Sequence, residues 1–202
     1  MSSESVLAAS WPVVLRLGPV SQKMSDHEFF EFCQLNRDLR IERTRDGDLV
    51  IMPPTGGTTG RMNFSLAVLF GASADTDGTG IGFDSSTEFS LPNGAKRSPD
   101  LAWVRRERWE ALTPQEQDEF PPLCPDFVVE LRSPTDRMGA LQAKMEEYIA
   151  NGASLGWLID PIEKKVYVHR PCAEACCLDN PAAVSGDPVL PGFVLDLRRL
   201  WG

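Results

Sequence analysis

The hydrophobic positions of this 202-residue chain switch repeatedly between helical and strand spacing. In "SDHEFFEFCQLN", Phe29, Phe32 and Cys33 recur at helical spacing, and Ser25 with Glu28 three residues on forms a capping box. A helix is predicted over about 25–36. "LRIERTRDGDLVIMPP" holds two β-prone runs around Asp46-Gly47, a dipeptide suited to a two-residue hairpin turn, and Pro53-Pro54 ends the second run. "TGGTTGRMNFSLAVLFGASA" passes from a Gly/Thr-rich loop to apolar positions Met62, Leu66, Leu69 and Phe70, predicting a helix over about 58–74. Its glycines lack the following Lys-Ser/Thr of a phosphate loop, which excludes that reading.

Short strands follow in "GIGFDSSTEFSLP", and another is expected at about 99–104 in "NGAKRSPDLAWVRRERW", ahead of a charged helix start. "LTPQEQDEFPPLCP" is polar and proline-bearing, a surface excursion. "DFVVEL" is the apolar run of a strand inside a sheet. "GALQAKMEEYIANG" is a helix whose stripe is Leu141, Met145, Tyr148 and Ile149, stopped by Gly152. "SLGWLIDPIEKKVYVHRP" supplies two further strands around Pro161. The tail is expected to pack Phe193, Leu197 and Trp201 against the body as a last edge segment. This element order predicts an α/β (α+β) fold, a mixed sheet flanked by helices in one domain over 25–202, with 1–24 as an N-terminal extension.

A content of 42% hydrophobic and 24% charged residues is that of a globular chain with a sizeable core. The opening "MSSESVLAAS" has neither a basic nor an apolar leader region, and no run is long and apolar enough to span a bilayer, so no membrane role and a cytoplasmic location are expected. Five cysteines, an odd number, fit reduced thiols better than a disulfide framework. Cys172, Cys176 and Cys177 beside His169 match no standard zinc spacing. A net charge of −9 excludes indiscriminate coating of nucleic acid and leaves only local patches to meet phosphate. One such patch is Lys96 to Arg108, with five basic residues against Asp100 and Glu107.

Candidate chemistry centres on "CPDFVVELRS". Asp126 and Glu130 share a strand face but lie roughly 13 Å apart at about 3.3 Å per residue. Two ligands of one Mg²⁺ each sit about 2.1 Å from it. Asp100, opening a neighbouring strand about 4.8 Å away, is the better partner for Glu130 if the register allows. Arg132, two residues after Glu130, points to the same face. It can clamp phosphate but cannot serve as a base, whereas a desolvated lysine can, and Lys144 on the next helix has the reach. A metal that acidifies a water, beside a cation that orients it or the phosphate, is the requirement of phosphodiester hydrolysis.

"RIERTRDGDLVIMPPTGG", "RSPDLAWV", "PDFVVELRSPTDR" and "LQAKMEEYIANGASLGWLIDP", in that order, resemble the Uma-two family of bacterial endonucleases in the PD-(D/E)xK nuclease superfamily. The resemblance covers about residues 20–200. It implies a restriction-endonuclease-like core acting on DNA, with Mg²⁺ or Mn²⁺ held by Asp100 and Glu130. The superfamily pattern wants lysine where this chain has Arg132, and the family supplies one from the following helix, which maps to Lys144. Glu42 matches a further acidic position, which would hold a second metal or a water. Many members carry a histidine after the "PPTGG"-like loop, where this chain has Gly60-Arg61. Binding to DNA should be weak and salt-sensitive, and a homodimer is the analogous way to cut two strands. The rival is a non-catalytic nucleic-acid- or protein-binding module that keeps the fold, supported by the missing lysine at 132 and the acidic balance. A two-carboxylate sugar hydrolase has only the paired acids in its favour.

Overall fold

The structure, a computed structural model, describes residues 12–17, Val20 and 23–201, the side chain of Asp75 excepted. Of the segment read as an extension, Val13–Leu15 form strand β1, and most of the remainder lies outside the described residues.

A capping box starts helix α1 (Asp26–Leu35): Ser25 Oγ accepts from Glu28 N, and Glu28 Oε2 accepts from Ser25 N at 2.7 Å. Strands β2 (Arg40–Arg43) and β3 (Leu49–Met52) form a hairpin, but its turn is longer than the two-residue one expected. Thr44 and Asp48 bond across it, leaving Arg45, Asp46 and Gly47 as a three-residue loop with Gly47 at φ 85°. Such loops place one glycine in the left-handed region instead of two residues. Helix α2 (Gly57–Asp77) follows and ends at Gly78, φ 66°. Then come β4 (Gly80–Asp84), β5 (Phe89–Ser90), β6 (Lys96–Arg97), β7 (Leu101–Arg105) and the short helices α3 (Arg106–Glu110) and α4 (Pro114–Asp118). Strand β8 (Phe127–Leu131) leads through helix α5 (Met138–Ala150) to β9 (Leu155–Asp160) and β10 (Lys165–His169). β11 (Cys176–Asp179), β12 (Ala183–Ser185), β13 (Val194–Asp196) and helix α6 (Arg198–Trp201) complete the chain.

The central sheet has the order β11-β10-β9-β8-β7-β4, in which β8 and β9 are parallel and the other pairs antiparallel. The parallel pair requires a crossover, and α5 is that crossover. A second sheet, β1-β3-β2-β6-β5, carries α1, with Phe29 packed on Ile41 and Leu49. Alternation along each strand divides the core. Phe127, Val129 and Leu131 join Leu101 and Trp103 beneath Met62, Leu66 and Phe70 of α2. On the opposite face Val128, Ala102 and Leu158 meet Met145 and Tyr148 of α5, together with Phe89 and Leu91 of the second sheet. Each such buried aliphatic or aromatic side chain contributes about 2 kcal/mol. Gly80 of β4 leaves room for the Trp103 indole, which a Cβ there would overlap. The mixed sheet with flanking helices is the architecture the element order predicts, and Phe193 and Leu197 are buried in its core with Trp201 against it.

Candidate active site

β7 and β8 are antiparallel with Leu101 opposite Val129, and one further step of that register sets Asp100 opposite Glu130. By alternation both side chains belong to the face covered by α5. Glu130 is 5% exposed, so it is not the wet side of a surface strand. The crossover lays α5 over this face. Lys144 reaches Glu130 Oε1 at 2.9 Å and Glu42 Oε1, from β2 of the second sheet, at 2.8 Å. Its side chain is 14% exposed, and the ammonium lies between the two buried carboxylates. One turn on, Tyr148 donates its hydroxyl to Glu130 Oε1 at 2.9 Å.

Glu42 is held on both oxygens. Ser98 N and Lys144 donate to Oε1, and Arg97 Nη1 lies 3.2 Å from Oε2, while Arg97 Nε bonds Glu147 at 2.6 Å. Asp100 accepts from the Leu131 backbone at 2.8 Å and from Asn63 of α2 at 3.3 Å. The strand bearing Glu130 and the helix on the opposite face thus both aim a donor at Asp100.

Charges here are matched unevenly. Burial raises Glu130, Lys144 opposes it, and the neighbouring charges of Asp100 and Glu42 add to it, leaving the carboxyl at about 7. Burial also raises Asp100, against the Leu131 amide and the charges of Arg40 and Lys144. Glu42 goes the other way: burial would raise it, but Lys144 and Arg97 outweigh burial and lower it. Lys144 is raised, because the carboxylates of Glu130 and Glu42 outweigh its burial, so it is a charged ammonium at neutral pH. The cations that face the Asp100–Glu130 pair, Lys144 and Arg40, do not overcome burial, so both carboxyls are held above their ordinary values. Two opposed carboxylates of hard oxygen suit a divalent cation of the Mg²⁺ or Mn²⁺ kind. Among the described residues no group of three or more His, Cys, Asp or Glu side chains is placed to hold a metal.

Arg132 stands apart from this cluster. Its Nη1 bonds Asp160 Oδ2 at 2.7 Å, and Asp160 is buried on the next strand. Asp126 is the structural strand-start residue, accepting from Arg105 N and paired with Arg105 and Arg108. The basic run from Lys96 to Arg108 does not gather beside Asp100. Lys96 is buried against Asp26 and Ser90, Arg97 faces Glu42, and Arg105, Arg106 and Arg108 sit at the far end of β7, about 17 Å along the strand.

Tyr148, Arg97, Ser98 and Asn63 are not among the site residues the sequence predicts. Tyr148 carried a signal: it is i+4 from Lys144 on one helix face, and a buried tyrosine hydroxyl requires a partner. Arg97 was disguised by the surrounding basic run.

The chain is similar in fold to a solved structure described as a "putative nuclease belonging to DUF820 from Anabaena variabilis ATCC 29413", with 19% identity, a TM-score of 0.71, and coverage of 88% of this chain and 97% of that one. No curated protein matches the sequence. Residues 26–198 match the Uma2 family, described as "Putative restriction endonuclease". With that match spanning most of its length, the chain belongs to the Uma2 family.

Proposed function

We propose that this protein is a divalent-metal-dependent endonuclease that hydrolyses phosphodiester bonds of DNA. The observation that carries the reading is the placement of Asp100 opposite Glu130 at one sheet end, with Lys144 bonded to Glu130 beside them. Asp100 and Glu130 would hold Mg²⁺ or Mn²⁺. When bound, the cation acidifies a water and offsets charge on the phosphate oxygens.

The chain's own groups perform the remaining work. Lys144, charged and held between Glu42 and Glu130, positions the attacking water and offsets developing charge. Glu42, with both oxygens engaged, fixes the ammonium against Glu130 and leaves a cation or water of its own as a secondary role. Tyr148 orients the Glu130 carboxylate. Arg132, 21% exposed and anchored by Asp160, is the phosphate contact at the rim.

Family membership supports this reading over a sugar hydrolase. The acidic balance, −9, makes DNA binding weak and salt-sensitive. A cytoplasmic setting agrees with five free thiols, and among the described residues no helix is long and apolar enough to cross a membrane. Cutting both strands of a duplex would take two such sites, as in a homodimer. The non-catalytic alternative rests on Arg132, which stands where the superfamily has lysine and is bound to Asp160.

Incubation of the purified protein with supercoiled plasmid and Mn²⁺ tests the assignment. Wild type should nick the plasmid and Asp100→Ala should not. Equal background from both would favour the non-catalytic module.

A further inference from the structure

Helix α2 is filled on one side and bare on the other. Met62, Leu66 and Phe70 enter the core, whereas Phe64 is 71% and Val68 52% exposed. Single exposed apolar residues are ordinary on a protein surface. These two are i and i+4 neighbours, and exposed Arg61, three residues before Phe64, continues the same side of the helix. Asn63, adjacent to Phe64, turns toward the site and donates to Asp100. The helix that touches the candidate site thus presents, one residue later, a flat aromatic ring to water.

The first turns of α2 are stripped in a way that suits the same ligand. Gly56, the N-cap, offers no side-chain acceptor to the first amides. A Cβ added at Gly56, Gly57 or Gly60 would meet nothing within 4 Å, so a ligand backbone can lie close to the helix there. A guanidinium and unsatisfied helix amides take phosphate, and an exposed ring takes the face of a base. An apolar peptide or a second copy of the chain would cover the ring without using the cation or the amides. A duplex keeps its bases stacked inside and offers the ring nothing.

We propose that Phe64, flanked by Arg61 and Val68 on α2, is a stacking platform for an unpaired base of single-stranded DNA beside the bond cleaved at Asp100 and Glu130. The proposal rests on the nuclease reading above and adds its preferred substrate form.

Fluorescence anisotropy of a labelled oligothymidylate against the full chain carrying Asp100→Asn, at low salt, tests it. Adding Phe64→Ala should weaken binding roughly 5- to 150-fold, the range one base–aromatic stack supports. Phe64→Trp should retain it, and binding of a matched duplex should change less than about twofold. In the otherwise wild-type chain, Phe64→Ala should hydrolyse a small chromogenic phosphodiester at the wild-type rate, because that substrate has no neighbouring base. Unchanged oligothymidylate binding by Phe64→Ala, in a protein that binds and cuts DNA, overturns the platform and leaves the nuclease reading standing. A wild type that neither binds nor hydrolyses overturns both. Sedimentation velocity showing that Phe64→Ala converts a dimer to a monomer would assign the ring to contact between copies and overturn the proposal.

Discussion

Lys144 lies 2.9 Å from Glu130, a lysine on a helix bonded to a carboxylate on the strand that the same helix crosses over. The pair is nearly buried, and the ammonium also binds Glu42 at 2.8 Å. Removing the cation leaves two carboxylates facing each other out of water. Lys144→Met should therefore cost about 3 kcal/mol of stability in denaturant titration. Nicking of plasmid should fall by roughly two orders of magnitude or more, the effect of losing one preorganised charge. Adding Glu130→Gln to Lys144→Met should recover part of the stability and none of the activity. Recovery of nicking by the double variant would show that Lys144 serves only to neutralise Glu130.

Tyr148 donates to the Glu130 oxygen that also holds Lys144. Tyr148→Phe keeps the ring in the core and removes one hydrogen bond, for an expected loss of about 1–2 kcal/mol. Because the substitution frees Glu130 to rotate, nicking at saturating DNA should drop about tenfold with little change in KM. A rise in KM without loss of kcat would place Tyr148 in substrate binding instead.

The sequence made Asp100 and Glu130 legible because strand alternation and strand spacing are nearly invariant, so two residues on neighbouring strands can be paired before the fold is known. The partners of Glu42 were not legible. Its contacts with Lys144 and Arg97 join residues 102 and 55 positions away, which depends on how the second sheet sits against α5. The same limit concealed Asn63, whose neighbours in sequence belong to the core on the other side of the central sheet. Local chemistry misled at the hairpin, where Asp46-Gly47 suits a two-residue turn but the Thr44–Asp48 pairing sets three. β11 gave no pattern because it is an edge strand with Cys176, Cys177 and Asp179 exposed.

Arg132 and Asp160 form a second paired unit at the end of β8. Asp160 is buried, although its other oxygen accepts from the amides of Ile162 and Glu163. Arg132→Ala should lower stability by about 2–4 kcal/mol. If the guanidinium also contacts phosphate, KM for DNA should rise and the salt dependence of binding should flatten by about one charge. A fall in stability with unchanged KM and salt slope would confine Arg132 to a structural role.

Glu88 is buried, and its Oε1 has no hydrogen-bond partner among the described residues. Burial first, then the charge of Glu42, pushes its carboxyl well above the ordinary range, while Lys96, Arg40 and Lys144 oppose the shift. Below the ordinary value of 4.5 both folded and unfolded chains carry the proton, so ionisation of Glu88 then costs nothing. As pH rises the unfolded chain ionises first, and stability declines until the folded value is passed. Glu88→Gln should therefore raise the melting temperature at about pH 8 and leave it unchanged at about pH 4. Equal shifts at both pH values would trace the effect to packing.

Asp100 and Glu130 repel one another across adjoining strands, and this repulsion supplies a test of metal binding that needs no substrate. A cation that binds the folded chain and not the unfolded one stabilises in proportion to the logarithm of its concentration. Mn²⁺ should raise the melting temperature of wild type in a concentration-dependent way, and a chelator should reverse it. Asp100→Asn removes half of the repelling pair and should be more stable than wild type without metal; Glu130→Gln also removes a charge bonded by Lys144, so its gain should be smaller, and both should lose the response to Mn²⁺. Calorimetric titration gives the stoichiometry independently of folding. Variants that keep the Mn²⁺ response would place the cation elsewhere, and a wild type indifferent to Mn²⁺ in both measurements would leave Lys144 as the permanent counter-ion of Glu130, the arrangement of a binding module and not of an enzyme.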